Sequence, residues 1–144
     1  MEVKAQLEIS DAEWEVMRVI WTLGSATSHT VIEALSEKMG WKAATTKTLL
    51  GRLMKKGALT AKKNGRAFTY FPEIPEQEAM DVATISLFDH LCQMRAGATL
   101  TALAKHVSLS QTDIANLQKL LTEKAKTAPE KVSCNCLPDD CHCQ

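Results

Sequence analysis

The chain has 144 residues, 45% of them apolar and 24% charged, and a formal net charge of zero. Those figures fit one ordinary soluble domain or two small ones. They exclude a uniformly basic coat for nucleic acid or anionic membrane, and no apolar run approaches the ~20 residues of a membrane span.

The first helix is predicted from Asp11 to Leu23. Ser10 and Glu13 have the spacing of a capping box, Trp14, Met17, Ile20 and Trp21 recur at helical spacing, and Gly24 stands where a left-handed residue ends a helix. Its aromatics read as core. A second helix is expected over about Ser28–Met39, with Val31, Ile32 and Leu35 buried and Gly40 as its stop. A third runs over about Ala43–Lys56, with Leu49, Leu50, Leu53 and Met54 apolar and Gly57 at its end. Gly51 inside that helix costs about 1 kcal/mol relative to Ala, which points to close packing or close backbone approach there. Leu59–Lys63 and Arg66–Phe71 then read as two strands around an Asn64-Gly65 turn, in which both central positions take positive φ. A short extra strand fits Ala26-Thr27.

The second half reads as helical. Met80, Ala83, Leu87, Leu91 and Met94 repeat at heptad-like spacing over Glu76–Arg95, a shorter helix fits Ala98–Val107, and Ser110 caps a last one bearing Ile114, Leu117, Leu120 and Leu121. So little amphipathic helix makes a poor independent core, so pairing with a second copy is expected. The fold class is mainly α. A winged helix-turn-helix spans 1–72, a helical dimerisation region 73–128, and a metal-binding tail 129–144.

Charge is unevenly placed. Residues 1–72 carry 11 basic and 7 acidic side chains, and residues 73–144 carry 6 and 10. Between Trp41 and Pro72 stand eight basic residues and no acidic one, a footprint for phosphate. In a helix-turn-helix the second helix of the motif enters the major groove with its N-terminal turns against base edges. That places Thr45, Thr46, Lys47 and Thr48 at DNA. Threonine offers a hydroxyl and a methyl for thymine, and Lys47 can donate to guanine O6 and N7. Arg52 is placed for a phosphate, and Lys62, Lys63 and Arg66 on the wing can straddle a backbone or enter the minor groove. A symmetric dimer calls for a palindromic operator with half-sites about one helical turn apart.

Four of the five cysteines form Cys134-Asn-Cys136-Leu-Pro-Asp-Asp-Cys141-His-Cys143, that is C-x-C-x4-C-x-C. The intervening Leu137–Asp140 has turn chemistry. Four converging thiolates suit Zn(II), and equally Cu(I). Cys92 reads as a small buried side chain on the apolar face of a helix. Cys141-His142-Cys143-Gln144 matches a prenylation box only formally, lacking aliphatic middle residues and a polybasic run. No phosphate-binding glycine loop or nucleophile–base grouping is present, so an enzyme is not expected. The N-terminus, Met1 to Gln6, has no apolar core of a secretory signal, so a cytoplasmic location with reduced thiols is expected.

The run Ala12-Glu13-Trp14-Glu15-Val16-Met17-Arg18-Val19-Ile20-Trp21, together with Thr48-Leu49-Leu50-Gly51-Arg52-Leu53, resembles the penicillinase-repressor (BlaI/MecI) winged-helix family. The tail is similar to that of its copper-responsive branch, the CopY repressors. The resemblance implies a homodimeric repressor of a copper-homeostasis operon that includes copper-export ATPases. It implies a Zn-bound form that holds a TACA–TGTA inverted repeat in double-stranded operator DNA. It further implies that Cu(I), donated by a copper chaperone, displaces Zn at Cys134, Cys136, Cys141 and Cys143 and releases the DNA. Recognition-helix contacts carry over to Thr45, Lys47 and Thr48. The chain departs from the family pattern at Ala43 and Thr46, where relatives carry proline and an apolar residue. Two other readings stay open: a winged-helix regulator with a purely structural Zn site, and a copper storage or chaperone protein.

Overall fold

A computed structural model of the protein describes residues 7–138. Two compact units divide between Thr84 and Ile85, beyond the 72/73 boundary expected from the sequence. Each is described by itself.

In the first unit, α1 (Asp11–Leu23) begins with the expected capping box. The Ser10 hydroxyl accepts from the Glu13 amide at 3.2 Å and Glu13 Oε1 accepts from the Ser10 amide at 3.0 Å. Gly24, at φ 83°, closes the helix. β1 (Ala26–Thr27) leads into α2 (Ser28–Met39), capped by Thr27, and α3 (Ala43–Lys56) follows after a short connection. β2 (Leu59–Asn64) and β3 (Ala67–Pro72) form the wing hairpin, and β1 adds to it in the antiparallel order β1-β3-β2. Asn64 pairs with Ala67, so the turn residues are Gly65 and Arg66, one position later than expected. Positive φ falls on Gly65, at 67°, the first turn position, where a tight hairpin needs it.

The core is the meeting of three helix stripes. Val16, Met17 and Ile20 of α1, Val31 and Leu35 of α2, and Leu49, Leu50 and Leu53 of α3 are buried together with Ala58 and Leu59. Trp14 and Trp21 are half-buried and lie edge-tilted at 5.6 Å between ring centres. The Trp21 indole N–H donates to the Ile74 carbonyl at 2.8 Å, tying the chain after the wing back onto α1. There α4 (Glu76–Asp89) starts, and its Ala79 is buried. Ala79, Val82 and Ala83 line a small cleft with Leu7, Ile9, Trp14 and Ile74. This apolar contact keeps the start of α4 with the first unit.

α4 ends at Asp89, six residues before the Arg95 expected from its heptad-like pattern. The His90 amide bonds Leu87 O and the Leu91 amide bonds Phe88 O, so the last turn tightens and stops. Leu91, Cys92 and Met94 therefore lie in a connection, not on a helix face. α5 (Ala96–His106) follows, then α6 (Gln111–Ala125), which Ser110 and Asp113 begin with a second capping box. Neither α5 nor α6 buries a residue, and Leu100, Leu103, Ile114, Leu117, Leu120 and Leu121 are all exposed. Among the described residues no helix is long and apolar enough to cross a membrane.

Candidate nucleic-acid interface and thiol cluster

A helix has two faces, and α3 uses them for different tasks. Thr46, Leu49, Leu50 and Leu53 fall at i, i+3, i+4 and i+7 and are buried, while Thr45, Lys47, Thr48, Gly51 and Arg52 are exposed. Thr46 is thus corrected out of the DNA-facing set: it is 0% exposed and cannot reach a base. Its hydroxyl is buried without a hydrogen-bond partner among the described residues, an arrangement that costs about 1–3 kcal/mol. Thr46→Val keeps the shape and removes the orphaned group. It is expected to raise the unfolding free energy by about 1 kcal/mol or more in a denaturant titration while operator affinity stays unchanged.

Gly51 also departs from expectation. A Cβ added there meets nothing within 4 Å, so no close packing among the described residues accounts for it. It shares the exposed face with Lys47 and Thr48, one helical turn away. The Thr48 hydroxyl donates back to Ala44 O at 2.9 Å, which leaves its lone pairs available to a donor.

On the wing, Lys62, Lys63 and Arg66 are exposed. Strand alternation sends Lys62 and Lys63 to opposite faces of the hairpin. Lys62 Nζ lies 5.5 Å from the centre of the Phe71 ring, while Arg66 sits in the turn at the tip. Exposed Phe68 pairs with Lys63 across the strands.

One basic residue of the 41–72 run is turned inward. Lys56 Nζ donates to Glu13 Oε1 at 2.6 Å and to Glu8 O at 2.6 Å, and Glu13 is 1% exposed. Burial pushes the Glu13 carboxyl up, but the Lys56 ammonium and the Ser10 amide and hydroxyl outweigh it and hold the group below the usual glutamate value. Lys56 therefore fastens the end of α3 to the start of α1. The outward positive charge rests on Lys42, Lys47, Arg52, Lys55, Lys62, Lys63 and Arg66.

The second unit carries the thiols. Cys92, in the connection after α4, lies with Cys134 and Cys136 in a group whose sulfurs are all within 4.8 Å of one another. The Cys136 amide donates to Cys134 Sγ at 3.4 Å. Cys134 is disulfide-bonded in this structure, so its use as a ligand requires reduction first. With Cys134 reduced, the three converging sulfurs fit Zn(II) or Cu(I), the ions that thiolate donors select. Cys141 and Cys143, the other half of the motif, lie outside the described residues. From the sequence Cys92 reads as a lone, small buried side chain on a helix face. Its neighbours are 42 residues away along the chain, and no local pattern carries that information.

The chain is similar to known proteins along most of its length. The penicillinase repressor family profile matches residues 9–123. A 16.5 kDa protein from the ptsI 3′ region of Latilactobacillus sakei is 56% identical over 137 residues, covering 95% of this chain and 94% of that one. The penicillinase repressor of Bacillus licheniformis is 37% identical over 116 residues, 81% of this chain and 91% of that one. The solution structure of the DNA-binding domain of the repressor BlaI is 47% identical, covering 54% of this chain and 93% of that one, with a TM-score of 0.48. Family members are DNA-binding transcriptional repressors and not enzymes. With the winged helix in the first unit and the profile running through α6, the chain belongs to the penicillinase repressor family.

Proposed function

We propose that this repressor is metal-responsive: a dimer that holds a TACA–TGTA palindrome while its tail thiolates bind Zn(II), and leaves the DNA when they take Cu(I) from a copper chaperone in the cytoplasm. The observation that carries this reading is the convergence of Cys134 and Cys136 with a third thiol in the second unit. Cys141 and Cys143 complete the four-thiolate set in the motif. A repressor answering to a β-lactam signal has no use for such a cluster. An enzyme or a storage protein has no use for an exposed basic helix with a wing.

The dimer follows from the apolar stripes of α5 and α6, which a second copy of the chain would cover. Leu117→Asp puts a charge into that stripe. It is expected to convert the protein to monomer in sedimentation velocity and to weaken operator binding at least tenfold, because two half-sites are then no longer held together.

Metal exchange is not an electrostatic ejection. One Zn(II) and a pair of Cu(I) ions bring the same positive charge to four thiolates, so the net charge of the tail is unchanged. An effector acts only through a difference in free energy between two states, and here that difference lies in tail geometry. The Zn-bound tail braces the second unit, and the copper form withdraws the brace. Cys134→Ser combined with Cys136→Ser is expected to give a folded protein whose operator binding is weak and indifferent to either metal in a gel shift. Tight binding that still responds to copper in that variant refutes the reading.

A further inference from the structure

We infer that Cys92 is a metal ligand of this site, and that Gln93 positions the tail to reach it. The inference rests on the metal-responsive reading and adds a fifth thiol and an anchoring residue that the tail motif does not contain. Three observations support it. First, Cys92 Sγ donates to Cys134 Sγ at 3.8 Å, and sulfurs held about 2.3 Å from a tetrahedral zinc stand about 3.8 Å apart. Second, Cys92 and Cys134 are half-buried while Cys136 is exposed, so the pair sits on the protein side of the cluster. Third, the next residue clamps the tail: the Gln93 amide donates to Asn135 Oδ1 at 3.1 Å, and Gln93 Nε2 donates to Ser133 O at 2.7 Å. These two bonds flank Cys134 in sequence, so the tail is docked on the connection between α4 and α5 at the point where Cys92 stands.

Docking gives the site an effect beyond the tail. A site made only of tail cysteines could fill and empty without touching any helix. With Cys92 as a ligand, the metal cross-links the tail to the connection between α4 and α5, so occupancy constrains those two helices. Zn(II) and Cu(I) share the thiolate chemistry, and the two are separated by loading each alone.

The test uses the full chain, fully reduced, in two measurements. Differential alkylation with mass mapping compares apo, Zn(II)-loaded and Cu(I)-loaded protein. Cys92 is expected to be protected together with Cys134 and Cys136 in at least one loaded form. Cobalt(II) titration then reads the sulfur-to-metal charge-transfer band. Cys92→Ser is expected to lower that band and to weaken cobalt binding about tenfold or more. Gln93→Ala, which removes an orienting contact only, is expected to weaken binding about tenfold with the band intensity kept. Protection of the tail cysteines with Cys92 alkylated at its apo rate in both loaded forms, or an unchanged band in Cys92→Ser, overturns the role of Cys92 and leaves the metal-responsive reading standing. If no tail cysteine is protected by either metal, the metal-responsive reading itself fails and this inference falls with it.

Discussion

Lys56→Met destabilises the first unit by about 3 kcal/mol, the lower end of the range for removing one partner of a buried ion pair. The lower end applies because 34% of the Lys56 side chain is exposed, so water already screens part of the interaction. The loss is still large because Glu13 has nowhere to go. Its carboxylate is buried, Oε1 is shared between the capping amide and the ammonium, and Oε2 has no partner among the described residues. Methionine keeps the length and helix propensity of lysine and deletes the ammonium with its bonds to Glu13 and the Glu8 carbonyl. The pH dependence follows from the Glu13 carboxyl, which is held below its usual value in the native protein. A lowered folded value means that the contribution is complete above the ordinary glutamate range and is lost as pH falls through the folded value. Without Lys56 the strongest of the lowering influences is gone and only Ser10 is left to oppose burial, so less of that contribution remains. The gap between native and variant proteins is therefore widest at neutral pH and narrows in acid. Urea titrations at pH 7 and pH 4 measure it, and equal stability at pH 7 contradicts the account.

Replacing Arg52, Lys63 and Arg66 together by alanine weakens operator binding about a hundredfold at physiological salt, at about 1 kcal/mol per lost contact. It also flattens the log–log salt dependence by about 2.7, since each neutralised phosphate contributes about 0.9. All three side chains are exposed, so folding is not at stake. The loss is uniform across operator sequences, because phosphate contacts carry no sequence information. Lys47→Ala behaves differently: it relaxes preference at one base pair while the salt slope changes little. Fluorescence anisotropy over a salt series distinguishes the two. An unchanged slope in the triple variant removes the wing and Arg52 from the interface.

What was legible in the sequence was local. The Ser10 capping box, the Ser110 cap and the stops at Gly24, Gly40 and Gly57 bound the helices where expected, because a cap satisfies orphaned backbone groups within one turn and leaves its mark in adjacent residues. β1 at Ala26–Thr27 is the short extra strand expected with the winged helix-turn-helix. What was not legible depends on residues far apart in the chain. Thr46 looked like part of a polar, DNA-facing turn, yet the 3.6-residue period places it on the stripe with Leu49, Leu50 and Leu53. Lys56 looked like one more outward charge until Glu13, 43 residues away, was brought beneath it. The heptad pattern ran on through Leu91 and Met94, but the chain breaks at Asp89 and the connection that follows holds residues 133–135 through Gln93. The same break moves Cys92 from a helix face to the thiol cluster. Apolar periodicity alone does not record a docking contact of that range.

In the proposed mechanism, occupancy of the tail thiols by one metal or the other decides whether the repressor holds DNA. It is tested most directly by anisotropy of a labelled TACA–TGTA duplex titrated with the reduced full-length chain in three states: apo, Zn(II)-loaded and Cu(I)-loaded. Tight binding is expected with Zn(II), and at least tenfold weaker binding once Cu(I) is added to the same sample. Equal affinity with Zn(II) and Cu(I) would contradict it and leave the thiol cluster a structural staple.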